Sequence, residues 1–208
     1  MENSNYNHTN IEKEIYNYWE KNNFFKPKKN NKKHFSIVIP PPNVTGSLHM
    51  GHALNNSLQD VLIRFYRMNG YETLWQPGTD HAGIATQAIV EKKLLEKGIK
   101  KNTLGREKFI KEVWKWKKES GDKILNQLKR LGCSCDWSRN RFTMDEDLSK
   151  AVLNTFVTLY NKKLIYKDTK LVNWDTKLET AISDLEVEQR DVQSNLYYIK
   201  YKIVDENN

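Results

Sequence analysis

His49 and His52 stand three residues apart with Gly51 between them. On a helix that spacing puts both imidazoles on one face of a single turn. The residues just ahead, Pro40-Pro41-Pro42-Asn43-Val44-Thr45-Gly46, read as a chain leaving a strand and turning before a helix begins. A helix N-terminus offers unpaired N–H groups and a positive dipole end, which suits a nucleotide phosphate. Two imidazoles beside it can donate hydrogen bonds to phosphate oxygens, more strongly as charge builds during displacement at phosphorus. Gly51 leaves space where a larger side chain would obstruct a nucleotide approaching the backbone. The pair could also begin a metal site, but the spacing supplies no third ligand. A carboxylate, Asp80, follows the Pro77-Gly78 break. That places it at the carboxyl edge of a sheet, where open α/β folds bind ligands, although an Asp there could equally cap a helix ahead of Ile84.

These groups need a strand, a helix and a second strand to hold them. Phe35 to Ile39 is short, β-branched and stopped by proline, so it reads as a buried strand. Leu54, Leu58, Val61, Leu62 and Phe65 recur on one helical face before Gly70 closes the helix, and Tyr71 to Trp75 is the next strand candidate. Strand, helix and strand in that order imply a right-handed βαβ unit of a parallel sheet. Upstream, Ile11, Ile15 and Trp19 mark an amphipathic helix ended by Asn22 and Asn23, and residues 1–10 are polar enough to be disordered. Downstream, helices are predicted over Ile84 to Lys97 and over Arg106 to Leu131. The second would bury Phe109, Val113, Trp116, Ile124, Leu128 and Leu131, with Gly121 as a point of interruption. Thr143 with Glu146 three residues on has the form of a capping box for a helix carrying Leu148, Val152, Phe156 and Leu159. From there the pattern turns to short β-type segments, Leu164 to Tyr166, Leu171 to Trp174, Leu185 to Val187 and Leu196 to Ile203.

Composition narrows the class. A chain of 208 residues that is 38% hydrophobic can bury a core. Its apolar runs fall far short of the roughly 20 residues of a membrane span, and the N-terminus has no apolar leader core, so no membrane role and a cytoplasmic setting are expected. The net charge of +8 permits a polyanionic partner without demanding one. Cys133 and Cys135, one residue apart, are awkward for a disulfide and too few for a zinc site, and read as two reduced thiols.

In this setting the string His49-Met50-Gly51-His52 resembles the first signature of the class I aminoacyl-tRNA synthetases, His-Ile-Gly-His in its commonest form. The flanks resemble the valine branch of that family. They are Pro40-Pro41-Pro42-Asn43-Val44-Thr45-Gly46 and Gly78-Thr79-Asp80-His81-Ala82-Gly83-Ile84-Ala85-Thr86-Gln87. The isoleucine branch usually shows Tyr-Ala-Asn-Gly and Gly-Trp-Asp-Cys-His-Gly at those places. The resemblance runs from about Ile11 to Ile203, through Asp136-Trp137-Ser138, Phe142-Thr143-Met144-Asp145, Asn173-Trp174-Asp175 and Thr180-Ala181-Ile182-Ser183-Asp184.

The resemblance implies an α/β fold: the N-terminal half of a Rossmann-like parallel-sheet catalytic domain over residues 11–184, with a proximal helical insertion. The start of an inserted β-rich editing domain would follow over 185–208, entered near Asn173 to Glu188. It implies ATP as substrate with Mg2+, valine and tRNA(Val) as partners, and a monomeric complete enzyme. His49 and His52 take the catalytic role. Thr45, Gly46, His49, Gly51, His52, His81, Gly83 and Gln87 lie near ATP or the adenylate. Pro40, Pro41, Pro42 and Asn43 form the small aliphatic pocket, and Asp80 holds the amino acid's ammonium group. No metal ligands are assigned. A hydrophobic pocket rejects an isostere bearing a hydroxyl by only about a hundredfold, a limit for which the valine enzyme's handling of threonine is itself the standard illustration, so editing is expected. The class's second signature, Lys-Met-Ser-Lys-Ser, does not occur in the chain. These residues are therefore expected to be the N-terminal part of a longer enzyme and inactive alone.

Overall fold

The protein is described by a computed structural model covering residues 6–28 and 33–202. It forms two compact units, residues 1–158 and 159–208.

In the first unit α1 (His8–Lys21) begins three residues ahead of the predicted Ile11, because the Asn7 side chain accepts a hydrogen bond from the Thr9 N–H and caps it. Residues 1–5 of the segment expected to be disordered lie outside the described residues. The predicted βαβ unit is β1 (His34–Val38), α2 (Met50–Met68) and β2 (Glu72–Gln76), with β1 and β2 parallel and Ser36 opposite Leu74. Pro77 has no N–H to give and breaks the ladder after β2. The chain re-pairs at once as β3 (Gly78–Thr79) beside β4 (Arg141–Phe142), again parallel. A Cβ at Gly78 would lie 2.9 Å from the Arg141 carbonyl oxygen, so only glycine lets β4 approach. Helices α3 (Gly83–Glu96), α4 (Lys101–Leu104) and α5 (Arg106–Arg130) fill the stretch between β3 and β4. Gly121 does not interrupt α5. It is buried in the middle of the helix beside Ser120.

The main core joins Ile39, Ile63 of α2, Trp75 of β2, Ile124 and Leu128 of α5, and Cys133 and Cys135. A second cluster packs Val90 and Leu94 of α3 on Phe109 of α5. One buried-face expectation is corrected. Leu131 ends α5 exposed. The stripe Leu54, Leu58, Val61, Leu62 and Phe65 forms a helix face, but each of these residues is between 47% and 65% exposed. The face that α2 turns inward is the polar one. Gln59 accepts from the Trp75 indole N–H at 3.0 Å, and Asp60 accepts from the Ser134 N–H at 2.9 Å. Arg64 donates to the Gly132 carbonyl at 2.8 Å and Arg67 to the Thr73 hydroxyl at 3.1 Å. These polar contacts, the fully buried Ile63 and the Tyr66 ring stacked on Phe35 of β1 at 3.8 Å between centroids hold the helix to the sheet. The cysteines are free and buried, and burial pushes the Cys133 thiol up to about 12 and raises Cys135 as well.

Helix α6 (Glu146–Asn161) forms, but it starts two residues later than the predicted Thr143 cap would set it. Asp145 precedes it, with its carbonyl accepting from the Ser149 N–H at 2.9 Å and its carboxylate accepting from the Phe142 N–H at 2.9 Å. Glu146 pairs with Lys150, and Thr143 points elsewhere. None of Leu148, Val152, Phe156 and Leu159 is fully buried.

In the second unit β5 (Asn173–Asp175) and β6 (Thr180–Ile182) form an antiparallel hairpin whose turn is held by Asp175 accepting from the Lys177 and Leu178 N–H groups at 2.8 Å each. Leu164 to Tyr166 and Leu196 to Lys202 carry strand patterns but form no strand among the described residues. Leu185 falls in a 3-10 turn, Asp184–Glu186, and Ile203 lies outside the described residues.

The packing predicts a contrast. Ile124→Ala, deep in the core, should cost about 2–5 kcal/mol in urea unfolding, while Leu58→Ala on the open face of α2 should stay within about 0.5 kcal/mol. Equal losses would show that the α2 stripe is covered after all.

Candidate functional site

The site is assembled by backbone pairing that continues past the strands. The Ile39 N–H donates to the Gln76 carbonyl at 3.0 Å, the Asp80 N–H to the Pro42 carbonyl at 2.8 Å and the Val44 N–H to the Asp80 carbonyl at 2.9 Å, so that Asn43 and Asp80 sit opposite each other in a parallel bridge. The loop leading to the histidines and the loop bearing the carboxylate are thereby fixed side by side. From the other direction α5 grips the first loop. The Trp116 indole N–H donates to the Val44 carbonyl at 2.7 Å, and the Gln127 side-chain oxygen accepts from the Leu48 N–H at 2.9 Å. Sequence reading assigned Trp116 only to a buried face and did not single out Gln127. Its 11-residue separation from Trp116, close to three helical turns, was the available signal.

His49 is the N-cap of α2, and the two imidazoles cap the helix reciprocally. Nδ1 of His49 accepts from the Gly51 N–H at 3.1 Å, and Nδ1 of His52 accepts from the His49 N–H at 3.3 Å. The rings lie 3.9 Å apart between centroids. A Cβ at Gly51 would stand 3.0 Å from Cε1 of His49, so the glycine makes room first for the His49 ring. A backbone N–H can only donate, so each Nδ1 accepts, and in the neutral rings the proton sits on Nε2. Desolvation, and then the neighbouring His49, hold the His52 imidazole below its ordinary value of 6.5.

The predicted residues divide between two cavities. One of about 500 Å³ is lined by Pro40, Pro41, Pro42, Asn43, Thr45, His49, Gly51 and His52, so the proline wall and the histidines share a space. The other, of about 680 Å³, is lined by His81, Gly83 and Gln87 together with Lys101, Arg106, Lys117 and the aromatic rings of Phe109, Trp114 and Phe142. Gly46 and Asp80 line neither, and the Asp80 backbone runs between them. The alternative role of Asp80 as a helix cap is not taken up. The N-cap of α3 is Ala82, in the left-handed region at φ 52°, with no side-chain cap bond. The Asp80 carboxylate instead accepts from the Thr143 hydroxyl at 2.8 Å, and Nδ1 of His81 lies 3.3 Å from the same oxygen. Among the described residues no group of three His, Cys, Asp or Glu side chains is placed to hold a metal ion.

A family model described as tRNA synthetases class I (I, L, M and V) matches residues 14–206. The chain belongs to that family. Across 203 residues, 98% of the chain, it is 74% identical to a valine--tRNA ligase of Pelagibacter ubique, and across 96% of the chain it is 62% identical to one of Bradyrhizobium diazoefficiens. It spans 23% and 21% of the lengths of those two relatives. A LeuRS of Agrobacterium radiobacter K84, solved in a ternary complex with tRNA and LeuAMS, superposes with a TM-score of 0.70 over 85% of this chain and 21% of that one at 24% identity. The class I synthetase catalytic fold read from the sequence is therefore the fold observed. No described helix is long and apolar enough to cross a membrane.

The reciprocal cap gives a spectroscopic prediction. At pH 7.5, nitrogen-15 spectra of the chain should show His49 and His52 protonated on Nε2 and bare on Nδ1, and an Nδ1–H signal from either would refute the cap. The fold disfavours protonated His52, so the unfolded chain binds the proton more readily. Stability linked to this group should be fully present above about pH 6.5 and decline as pH falls below it.

Proposed function

We propose that this chain forms the ATP-gripping and amino-acid-gripping side of a valine--tRNA ligase, which activates valine with ATP to valyl-adenylate and transfers it to tRNA(Val). The observation that carries this reading is the Asn43–Asp80 bridge, which sets the proline wall and the histidine cap beside a carboxylate within one rigid frame. The strong identity to valine--tRNA ligases supports the choice of amino acid.

In this reading Asp80 takes the ammonium of valine, a charge that needs a paired carboxylate once it leaves water. Pro40, Pro41, Pro42 and Asn43 line the pocket for the small aliphatic side chain. His49 and His52 present Nε2–H donors to the phosphates of ATP, Thr45 and Gly51 line the same cavity, and Gly46, with nothing within 4 Å of where a Cβ would stand, leaves the nucleotide an approach to the backbone. His81, Gly83 and Gln87 line the adenylate side. Mg2+ comes with ATP as part of the substrate, carried by the phosphates. The enzyme would work as a cytoplasmic monomer, with residues 185–208 opening an editing domain. The exposed apolar face of α2 fits cover by another part of such a ligase, of whose length these residues span 23% in the Pelagibacter ubique relative.

The test is a chimera in which residues 1–208 replace the matching segment of the Pelagibacter ubique ligase. In valine-dependent pyrophosphate exchange, His52→Ala should lower the rate by about 10²–10³-fold, the usual loss for one transition-state donor, with little change in melting temperature. Full exchange in that variant would exclude the histidine role. In the same assay Asp80→Asn should raise the KM for valine far more than that for ATP, and equal increases would exclude the ammonium contact. Residues 1–208 alone should show neither exchange nor tRNA charging above background, and clear turnover would show that this side of the site suffices.

A further inference from the structure

Thr143 has one hydroxyl hydrogen and three polar neighbours. Its Oγ1 lies 2.8 Å from Oδ1 of Asp80, 2.9 Å from the His81 backbone N–H and 2.7 Å from Nδ1 of His81. A carboxylate oxygen can only accept and a backbone N–H can only donate. The hydroxyl hydrogen therefore goes to Asp80, and the oxygen accepts from the His81 N–H. Nδ1 of His81 must then also donate, so His81 carries its proton on Nδ1, and its Nε2, in the neutral ring, is a bare acceptor. The side chains of Asp80 and His81 remain 33% and 45% exposed, so both keep a free edge toward a ligand. Thr143 is itself fixed from the backbone, its N–H donating to the Thr79 carbonyl at 3.1 Å beside the β3–β4 pair.

We propose that Thr143 is a positioning residue of the amino-acid site, orienting the Asp80 carboxylate toward the substrate ammonium and locking His81 in the tautomer that leaves Nε2 as an acceptor. With Oδ1 tied to the hydroxyl, the carboxylate plane is fixed and Oδ2 is left for the ammonium. Without the hydroxyl, the His81 ring at 3.3 Å remains beside Oδ1, and the carboxylate is free to turn toward it. The hydroxyl is the essential part of the side chain, and serine can supply it.

This inference rests on the reading of Asp80 as the ammonium's partner, and the experiment separates the two. In the chimeric ligase, Thr143→Val keeps the shape and removes the hydroxyl. It should raise the KM for valine about tenfold or more, the loss expected for a hydrogen bond to a charged group, with the KM for ATP unchanged and the melting temperature within a few degrees. Thr143→Ser should restore the valine KM to within about threefold, because it returns the same charge-assisted bond. A valine KM unmoved by Thr143→Val, or moved together with that for ATP, overturns the proposal, as does a failure of serine to rescue. Asp80→Asn serves as the control. If it raises the valine KM selectively while Thr143→Val does not, the positioning role fails and the ammonium contact stands. If it raises both constants equally, the reading of Asp80 itself fails.

Discussion

Everything at the site depends on parallel pairing that continues beyond the ends of the strands. Residues 39–44 and 76–80 exchange the hydrogen bonds Ile39 to Gln76, Asp80 to Pro42 and Val44 to Asp80, although Pro40, Pro41, Pro42 and Pro77 each remove a donor from the ladder. The prolines stop the strands from running on as regular sheet, and the remaining donors pin the two loops to each other. The outcome is irregular backbone with few alternatives, which suits a site whose groups must be held to within about half an ångström of productive geometry. On its other edge residues 77–79 pair with 141–143, so the Asp80 loop is the middle of three parallel segments, and both neighbours contribute to the site.

Helix α5 turns that frame into a braced one. Trp116 spans the second core cluster and the site loop, packed half-buried against that cluster while its N–H closes the Val44 carbonyl. A buried indole needs an acceptor for its N–H, so the same requirement that stabilises the core fixes the loop. Lys93 lies over that ring at 3.8 Å from the centroid and holds α3 to α5 across the same residue. Loss of Trp116 would open a cavity and free the loop together.

What was legible in the sequence was what is local. The proline stop, the helix start at His49 and helices α2, α3 and α5 follow from signals within a few residues of each other, the parallel pair follows from the order strand, helix and strand, and all are observed. What was misread depended on partners distant in the chain. Thr143 and Glu146 have capping-box spacing, but Asp145 occupies the cap position, and the hydroxyl is drawn 63 residues back along the chain to Asp80. The α2 stripe was read correctly as a helix face, yet periodicity says which residues share a face and not which face meets the sheet. Gln59, Asp60 and Arg64 took the inner side because Trp75, Ser134 and Gly132 presented polar groups to them. Leu196 to Lys202 has the composition of a strand, but a strand exists only as part of a ladder, and no described residue pairs with it.

The distribution of charge between the two cavities bears on how such a site would handle ATP. Lys101, Arg106 and Lys117 line the space on the His81 side, whereas among the described residues no lysine or arginine lines the space beside His49 and His52. The histidines there are donors whose Nδ1 atoms are committed to the helix cap, and His52 is held toward its neutral form. If ATP phosphates dock at that cap, these groups give direction through Nε2–H and contribute little net charge. Phosphoryl and nucleotidyl transfers draw their acceleration from positioning and from electrostatic stabilisation. The proline-lined cavity would supply the first, and the second would come with Mg2+ on the substrate and from cations outside that cavity. Protonating the histidines to supply the charge would turn each Nδ1 from acceptor to donor and dismantle the cap that aims them.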